Sequence, residues 1–215
     1  MTARDDILQA VRAGLGGGSI DASQVQREAA ALLADLPSTR PILASADLPE
    51  VFAARATTPK VAATVDRIGS ALELPAAVRR YLAARSLRPV IALQPAAALR
   101  GLDWTGFELH PSVAPDEAVA VGVARWGIAE TGSLVFHSGA DTPILSNFLP
   151  LHHLVLLHAR SIVAYLEDYA SAAASERAPR NVNIITGASG TTDIEGSLVL
   201  GAHGPKYLHI VIAAD

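Results

Sequence analysis

The sequence predicts an α/β domain built on a mostly parallel sheet covered by helices. Short apolar runs recur along the chain, among them Pro89–Leu93 (PVIAL) and Leu208–Ile212 (LHIVI). They alternate with segments of helical period, which is the pattern of strands buried on both faces. The third observation is size: 215 residues, 50% of them hydrophobic, are ample for a real core.

At the N-terminus, Ile7, Leu8, Val11 and Leu15 fall on one stripe and predict a helix over Asp5–Leu15. Thr2 followed by Asp5 resembles a capping box. Gly16-Gly17-Gly18-Ser19 reads as a flexible joint, Ala22–Asp35 as a second helix, and Pro37–Pro41 as a breaker. Residues 1–40 are therefore expected to be a helical appendage, and residues 41–215 the α/β body.

Within the body, Leu48–Ala56 predicts a helix and Val61–Val65 a strand that turns at Asp66–Gly69. Pro75 sits where a first-turn proline belongs, before a helix over Ala76–Ser86. Further strands are expected at Pro89–Leu93, Val119–Val123, Ser133–Phe136, Leu154–Leu157, Val182–Ile185 and Leu208–Ile212. Helices are expected at Ser161–Ser171 and Asp193–Leu200. Ligands on such sheets bind beyond the carboxyl ends of strands, which points to the loops after Val123, Phe136 and Ile185.

Composition excludes several functions. A net charge of −4 leaves no basic footprint for nucleic acid. Absence of cysteine excludes disulfides, thiolate zinc sites, cysteine nucleophiles and cysteine-ligated iron–sulfur clusters within this chain. It also fits a cytoplasmic location. The first residues carry acids and no apolar signal segment, and no apolar run is long enough to span a membrane. A charged share of only 18%, with the appendage, leans toward a homodimer.

The strongest local motif is Ile185-Thr186-Gly187-Ala188-Ser189-Gly190-Thr191-Thr192-Asp193-Ile194-Glu195. A strand running through a glycine- and hydroxyl-rich loop into a helix would gather backbone N–H groups around a carboxylate or phosphate. No lysine makes it a Walker loop. Capping of the expected helix explains Asp193 as well as ligation does. Glu130, in Ile128-Ala129-Glu130-Thr131-Gly132-Ser133, is a lone carboxylate beside a strand. Burial would make it an acid, base or nucleophile; the alternative is a loop glutamate bonded to nearby amides. His203, in His203-Gly204-Pro205, is presented by a tight turn and suits proton transfer or anion contact, or is incidental to the turn.

His152 and His153 are adjacent in a strand entry, so they should face opposite sides and not share a metal. No metal site is assigned. Asn147-Phe148-Leu149-Pro150 forms a loop suited to walling a pocket, and Trp126 has a better claim to a wall than Trp104.

Taken in order, Gly127–Leu134, Leu149-Pro150 with His152-His153, Ser189–Glu195 and Gly201-Ala202-His203-Gly204-Pro205 resemble the LUD-domain (lactate-utilisation protein C) family. The resemblance covers the chain from about Val119 onward. It implies a fold similar to the ribose-5-phosphate isomerase, glucosamine-6-phosphate deaminase and CoA-transferase type. It also implies a subunit without cofactors in a system oxidising L-lactate to pyruvate, beside an iron–sulfur partner protein that carries the cysteines. The family pattern carries over onto Glu130, Thr131, Gly132, Ser189, Thr191, Asp193, Glu195, His203 and Gly204. It suggests catalytic parts for Glu130, Asp193 and His203, and ligand contact for the others and for Gly190. Gly190 departs from the pattern, because the family commonly has a basic residue there that would hold an anion. Thr192 stands where alanine is common.

Three functions follow as expectations. The chain binds a small organic acid or organises the iron–sulfur partner. Otherwise it is a stand-alone enzyme on a phosphorylated or CoA-linked acid, with Glu130 as acid/base or nucleophile. The third is a regulatory module sensing a small acid.

Overall fold

A computed structural model describes residues 2–15, 21–192 and 198–215; the side chains of 36, 192 and 198 are left aside. The chain divides into two units, Met1–Ile42 and Leu43–Asp215. In the first, α1 (Ala3–Gly14) starts at Thr2 with the expected capping box. Asp5 Oδ2 accepts from the Thr2 N–H at 2.9 Å, and Thr2 Oγ1 accepts from the Asp5 N–H at 3.4 Å. Asp21 caps α2 (Ala22–Ala34) through the Ser23 N–H at 2.9 Å. The expected breaker holds one helical turn, α3 (Leu36–Thr39), with Pro37 in its first turn, where a missing N–H costs nothing. The glycine joint lies outside the described residues.

The second unit runs α4 (Leu48–Ala56), β1 (Thr64–Ile68), α5 (Leu74–Ala84), β2 (Val90–Leu93), α6 (Ala97–Arg100), β3 (Glu108–His110), β4 (Val119–Val123), β5 (Trp126–Ile128), β6 (Ser133–His137), β7 (His152–His158), β8 (Ile162–Val163), α7 (Leu166–Ala173), β9 (Val182–Ile185), β10 (Gly190–Thr192), β11 (Leu198–Leu200) and β12 (Tyr207–Ala213). Among the described residues, six strands form a parallel sheet in the order β1-β12-β7-β4-β2-β3. The central strands are mostly apolar because both faces are covered, with His152, His153 and His209 as buried polar exceptions.

Successive side chains of a strand alternate in direction, so the sheet feeds two cores. Leu154, Leu156, Val121 and Val211 pack with α5 residues Leu74, Val78 and Leu82 and with Leu99 of α6. Val155, Leu157, Ile210 and Ile212 pack with Phe52 and Ala56 of α4 and with Leu134 and Phe136 of β6. The second face is thus covered partly by another sheet, β8-β5-β6-β9. Its strands span two to five residues; β6 and β9 lie where strands were expected, and β5 and β8 are too short for hydrophobic period to mark.

Some expectations are corrected. The first body strand begins at Thr64 rather than Val61, since Ala62 takes a φ of 56° that breaks extended backbone. The stretch after Ser161 continues as β8 before α7 starts at Leu166. The helix expected over Asp193–Leu200 is not formed as such: Gly190–Thr192 pairs antiparallel with Leu198–Leu200, while 193–197 lie outside the described residues.

Candidate functional site

The Ser189 loop is stitched into place by its own backbone. At Gly187 the chain takes a φ of +85°, and a Cβ there would lie 1.8 Å from the Val61 carbonyl oxygen. Only glycine allows that approach. The next residue uses it: the Ala188 N–H donates to Val61 O at 3.1 Å. The Ser189 N–H donates to Pro205 O at 2.8 Å, and Ser189 O accepts from the Gly201 N–H at 2.9 Å. These bonds hold the loop against the 201–205 turn. They also occupy the Ala188 and Ser189 amides, so these two do not converge on an anion. The loop runs directly into β10, so among the described residues no helix N-terminus follows it to supply the expected positive end; Asp193 itself lies outside them.

The two segments wall a cavity of about 270 Å³. Ser189, Gly190, His203 and Gly204, all expected from sequence, line it together. So do Asn147 and His153. Each of these two is 1% exposed, and Asn147 Nδ2 and Oδ1 and His153 Nδ1 and Nε2 have no hydrogen-bond partner among the described residues. Buried polar groups are nearly always paired, by protein or by water, so a cluster of unpaired ones in a cavity marks where a ligand or water belongs. Burial pushes the His153 imidazole down to about 4, so it is neutral at physiological pH. A neutral imidazole offers one donor and one acceptor, and the asparagine amide offers both in either orientation.

Glu130 is placed elsewhere. Its Oε1 accepts from the Leu166 N–H at 2.8 Å, at the first turn of α7. That anchors the β5–β6 turn to the start of the helix, where a carboxylate also meets the positive end of the dipole. Glu130→Ala is expected to cost about 1 kcal/mol through loss of this contact, checked by thermal or urea unfolding. Gly132 follows with a φ of +70°, and a Cβ there would lie 2.7 Å from the Ala56 backbone nitrogen. Glu130, Thr131 and Gly132 do not line the cavity. A hydroxyl chain connects them to it: Thr131 Oγ1 to Ser133 Oγ at 2.6 Å, then Ser133 Oγ to Thr186 Oγ1 at 2.6 Å, with Thr186 in the cavity wall.

Thr191 lies in β10 opposite Val199, away from the cavity lining. Asp193 and Glu195 fall outside the described residues. His152 and His153 face opposite sides as expected. His152 Nδ1 shares a hydrogen bond with the Tyr81 hydroxyl at 2.9 Å, while the His153 ring stacks on Phe136. Trp126 packs against Tyr169 and His137 rather than walling the cavity. Sequence reasoning treated His153 only as a poor metal ligand. Its signal was its parity: it is a polar residue on an inward face of a buried strand.

A family model described as the LUD domain matches residues 117–213, a span that includes Asn147, His153, Ser189 and His203. The chain is 32% identical over 149 residues to lactate utilization protein C of Deinococcus radiodurans, covering 66% of this chain and 70% of that protein. It is 37% identical over 117 residues to the uncharacterized protein YkgG of Escherichia coli, 51% of each chain. Lactate utilization protein C of Bacillus subtilis is 27% identical over 120 residues, 53% of this chain and 50% of that one. The chain spans about half the length of several curated relatives it matches. A crystal structure of a DUF162-family protein from Deinococcus radiodurans shares the fold, with a TM-score of 0.56 over 79% of this chain and 98% of that one, at 22% identity. The Deinococcus sequence match, which takes in more than two thirds of that relative, and the family model laid over the cavity walls show that the chain belongs to the LUD-domain family.

Proposed function

We propose that this protein serves lactate utilisation as a subunit with no redox group of its own, binding a small hydroxy acid in the cavity between the Ser189 loop and the His203 turn. In this reading it works in the cytoplasm beside an iron–sulfur partner protein that oxidises L-lactate to pyruvate. The printed names of several relatives support the process, and a chain without cysteine leaves cluster chemistry to a partner. The fold likeness to sugar-phosphate isomerases and CoA-transferases, and a homodimer, belong to the same proposal.

The carrying observation is the unpaired set on Asn147 and His153. A carboxylate accepts hydrogen bonds and can satisfy the asparagine N–H and the imidazole N–H. It cannot satisfy the asparagine oxygen or the bare imidazole nitrogen. A hydroxyl group donates as well as accepts, so a hydroxy acid meets both needs where an oxo acid meets one. A volume of about 270 Å³ suits a molecule of a few carbons. A stand-alone enzyme with Glu130 as acid, base or nucleophile draws no support from the Glu130–Leu166 contact, which engages that carboxylate in capping.

Calorimetric titration tests the reading. L-lactate is expected to bind about tenfold or more tightly than pyruvate, because an unmet buried acceptor costs about 1–3 kcal/mol. Asn147→Leu, near in shape and without polar atoms, is expected to weaken lactate binding by a similar factor. Equal affinities for the two acids, or lactate binding indifferent to Asn147→Leu, would remove the basis of the proposal.

A further inference from the structure

Strands β2 and β4 are neighbours in the parallel sheet, yet the chain leaves them over opposite faces. From β2 it passes through α6, whose Leu99 packs with α5, and out to the edge strand β3. From β4 it enters the second sheet, which packs on the other face. The strand order reverses at this pair, and diverging connections leave a gap beyond the carboxyl ends of the two strands. A crevice of about 830 Å³ opens there, lined by Ala96–Ala98 after β2, Val123–Arg125 after β4, and Phe136. It is the place the topology designates for a ligand, and it is about three times the volume of the small-acid cavity. The stacked pair Phe136 and His153, with ring centroids 5.7 Å apart, gives one ring to each.

The charge lining this crevice is unlike that of the chain. Arg125, Arg177 and Arg180 face the acids Glu176 and Asp141, in a protein whose net charge is −4. Arg125 is spent: it pairs with Glu176 at 2.5 Å and lies over the Trp126 ring. Arg177 and Arg180 have no ion pair or hydrogen bond among the described residues. Two guanidinium groups without partners offer the planar donor pairs that suit phosphate oxygens. Small residues at Ala96, Ala97, Ala98 and Ala124 leave an apolar bed beside them, with the buried Phe136 behind it.

We infer that this crevice is a second binding site, for a phosphorylated small molecule of nucleotide size, with its phosphates on Arg177 and Arg180 and its apolar part against the alanines. The site is independent of the hydroxy-acid cavity and stands whether or not that cavity binds lactate.

Calorimetry on the full chain tests it with ADP and inorganic pyrophosphate as probes, at low and high salt. ADP is expected to bind more tightly than pyrophosphate, and both more weakly as salt rises. The double variant Arg177→Ala with Arg180→Ala is expected to weaken both by about tenfold or more. Both arginines are exposed, so an unchanged melting temperature should accompany that loss. Asn147→Leu is expected to leave ADP binding as it was. Absence of binding by either probe overturns the inference, as does binding that the double variant does not weaken. Pyrophosphate binding as tight as ADP overturns the nucleotide-sized ligand. A polyglutamate peptide that binds where ADP does not would assign the crevice to an acidic protein partner and overturn it too.

Discussion

Gly187→Ala is expected to lower the stability of the folded chain by about 4 kcal/mol. Three effects add. An alanine held at a φ of +85° is strained by about 1–2 kcal/mol. Its Cβ would lie 1.8 Å from Val61 O, so backbone on one side must move, at about 1–3 kcal/mol. That movement breaks the Ala188–Val61 hydrogen bond, worth about 1 kcal/mol. For a chain of this size the melting temperature should fall by about 10 °C. Lactate binding should weaken even where the variant stays folded, since Ala188 and Ser189 move with the displaced loop. Gly101→Ala is the control. Its φ is −77° and its Cβ would make an ordinary contact at 3.6 Å, so a change within about 0.5 kcal/mol is expected. A Gly187 variant that melts within about 2 °C of the parent would show that the loop yields at little cost.

Acid is expected to begin destabilising this protein well above the pH at which its carboxylates titrate. His153 and His209 are buried and held down to about 4, against about 6.5 when unfolded. Burial is the main cause for both. At His209 the guanidinium groups of Arg85 and Arg80 add to it, and Asp66 opposes it. Between pH 6.5 and 4 the unfolded chain binds these protons and the folded chain does not. Stability is therefore full above about pH 6.5 and lost as pH falls toward 4, by about 2–3 kcal/mol for each histidine. Together that approaches the whole stability of an ordinary domain. His137 and His152 are shifted the same way, also chiefly by burial. His110 runs opposite: Glu117 raises it, so its contribution grows as pH falls, but it is too exposed to offset the others. Urea midpoints measured from pH 7.5 to 4.5 should fall steeply. In a variant with His153→Phe and His209→Phe the slope should flatten markedly. A parent whose midpoints are level across that range would contradict the buried neutral state of both rings.

Both effects depend on contacts between residues far apart in the chain, and that is where legibility from sequence divides. The parallel sheet was legible because its central strands are dominated by apolar runs, and burial on both faces writes itself into composition. Helix α4 was legible to its ends, and α1 was legible in its cap. The second sheet was legible only in part: β6 and β9 lie where strands were expected, but β5 and β8, like the separate β10–β11 pair, have two or three residues each, and their pairing is decided by what they pack on. The glycine-rich loop was read as the approach to a helix, since glycine, hydroxyl and acid in series carry the signs of an N-terminus. The β10–β11 ladder prevailed instead.

At the candidate site the sequence by itself determined the residue types. It placed glycines where backbone must come close, hydroxyls on the Ser189 loop, a histidine on a rigid turn and no cysteine anywhere. It also determined that His152 and His153 point apart, because strand period allows nothing else. Only the tertiary structure decided which of these meet. It set His203 and Ser189 against Asn147 and His153, turned Glu130 to the start of α7, and opened the crevice between β2 and β4. The physical reason is that hydrophobic period and propensity are local quantities. Whether a polar atom ends paired, solvated or stranded in a cavity depends on partners that the fold alone brings within reach.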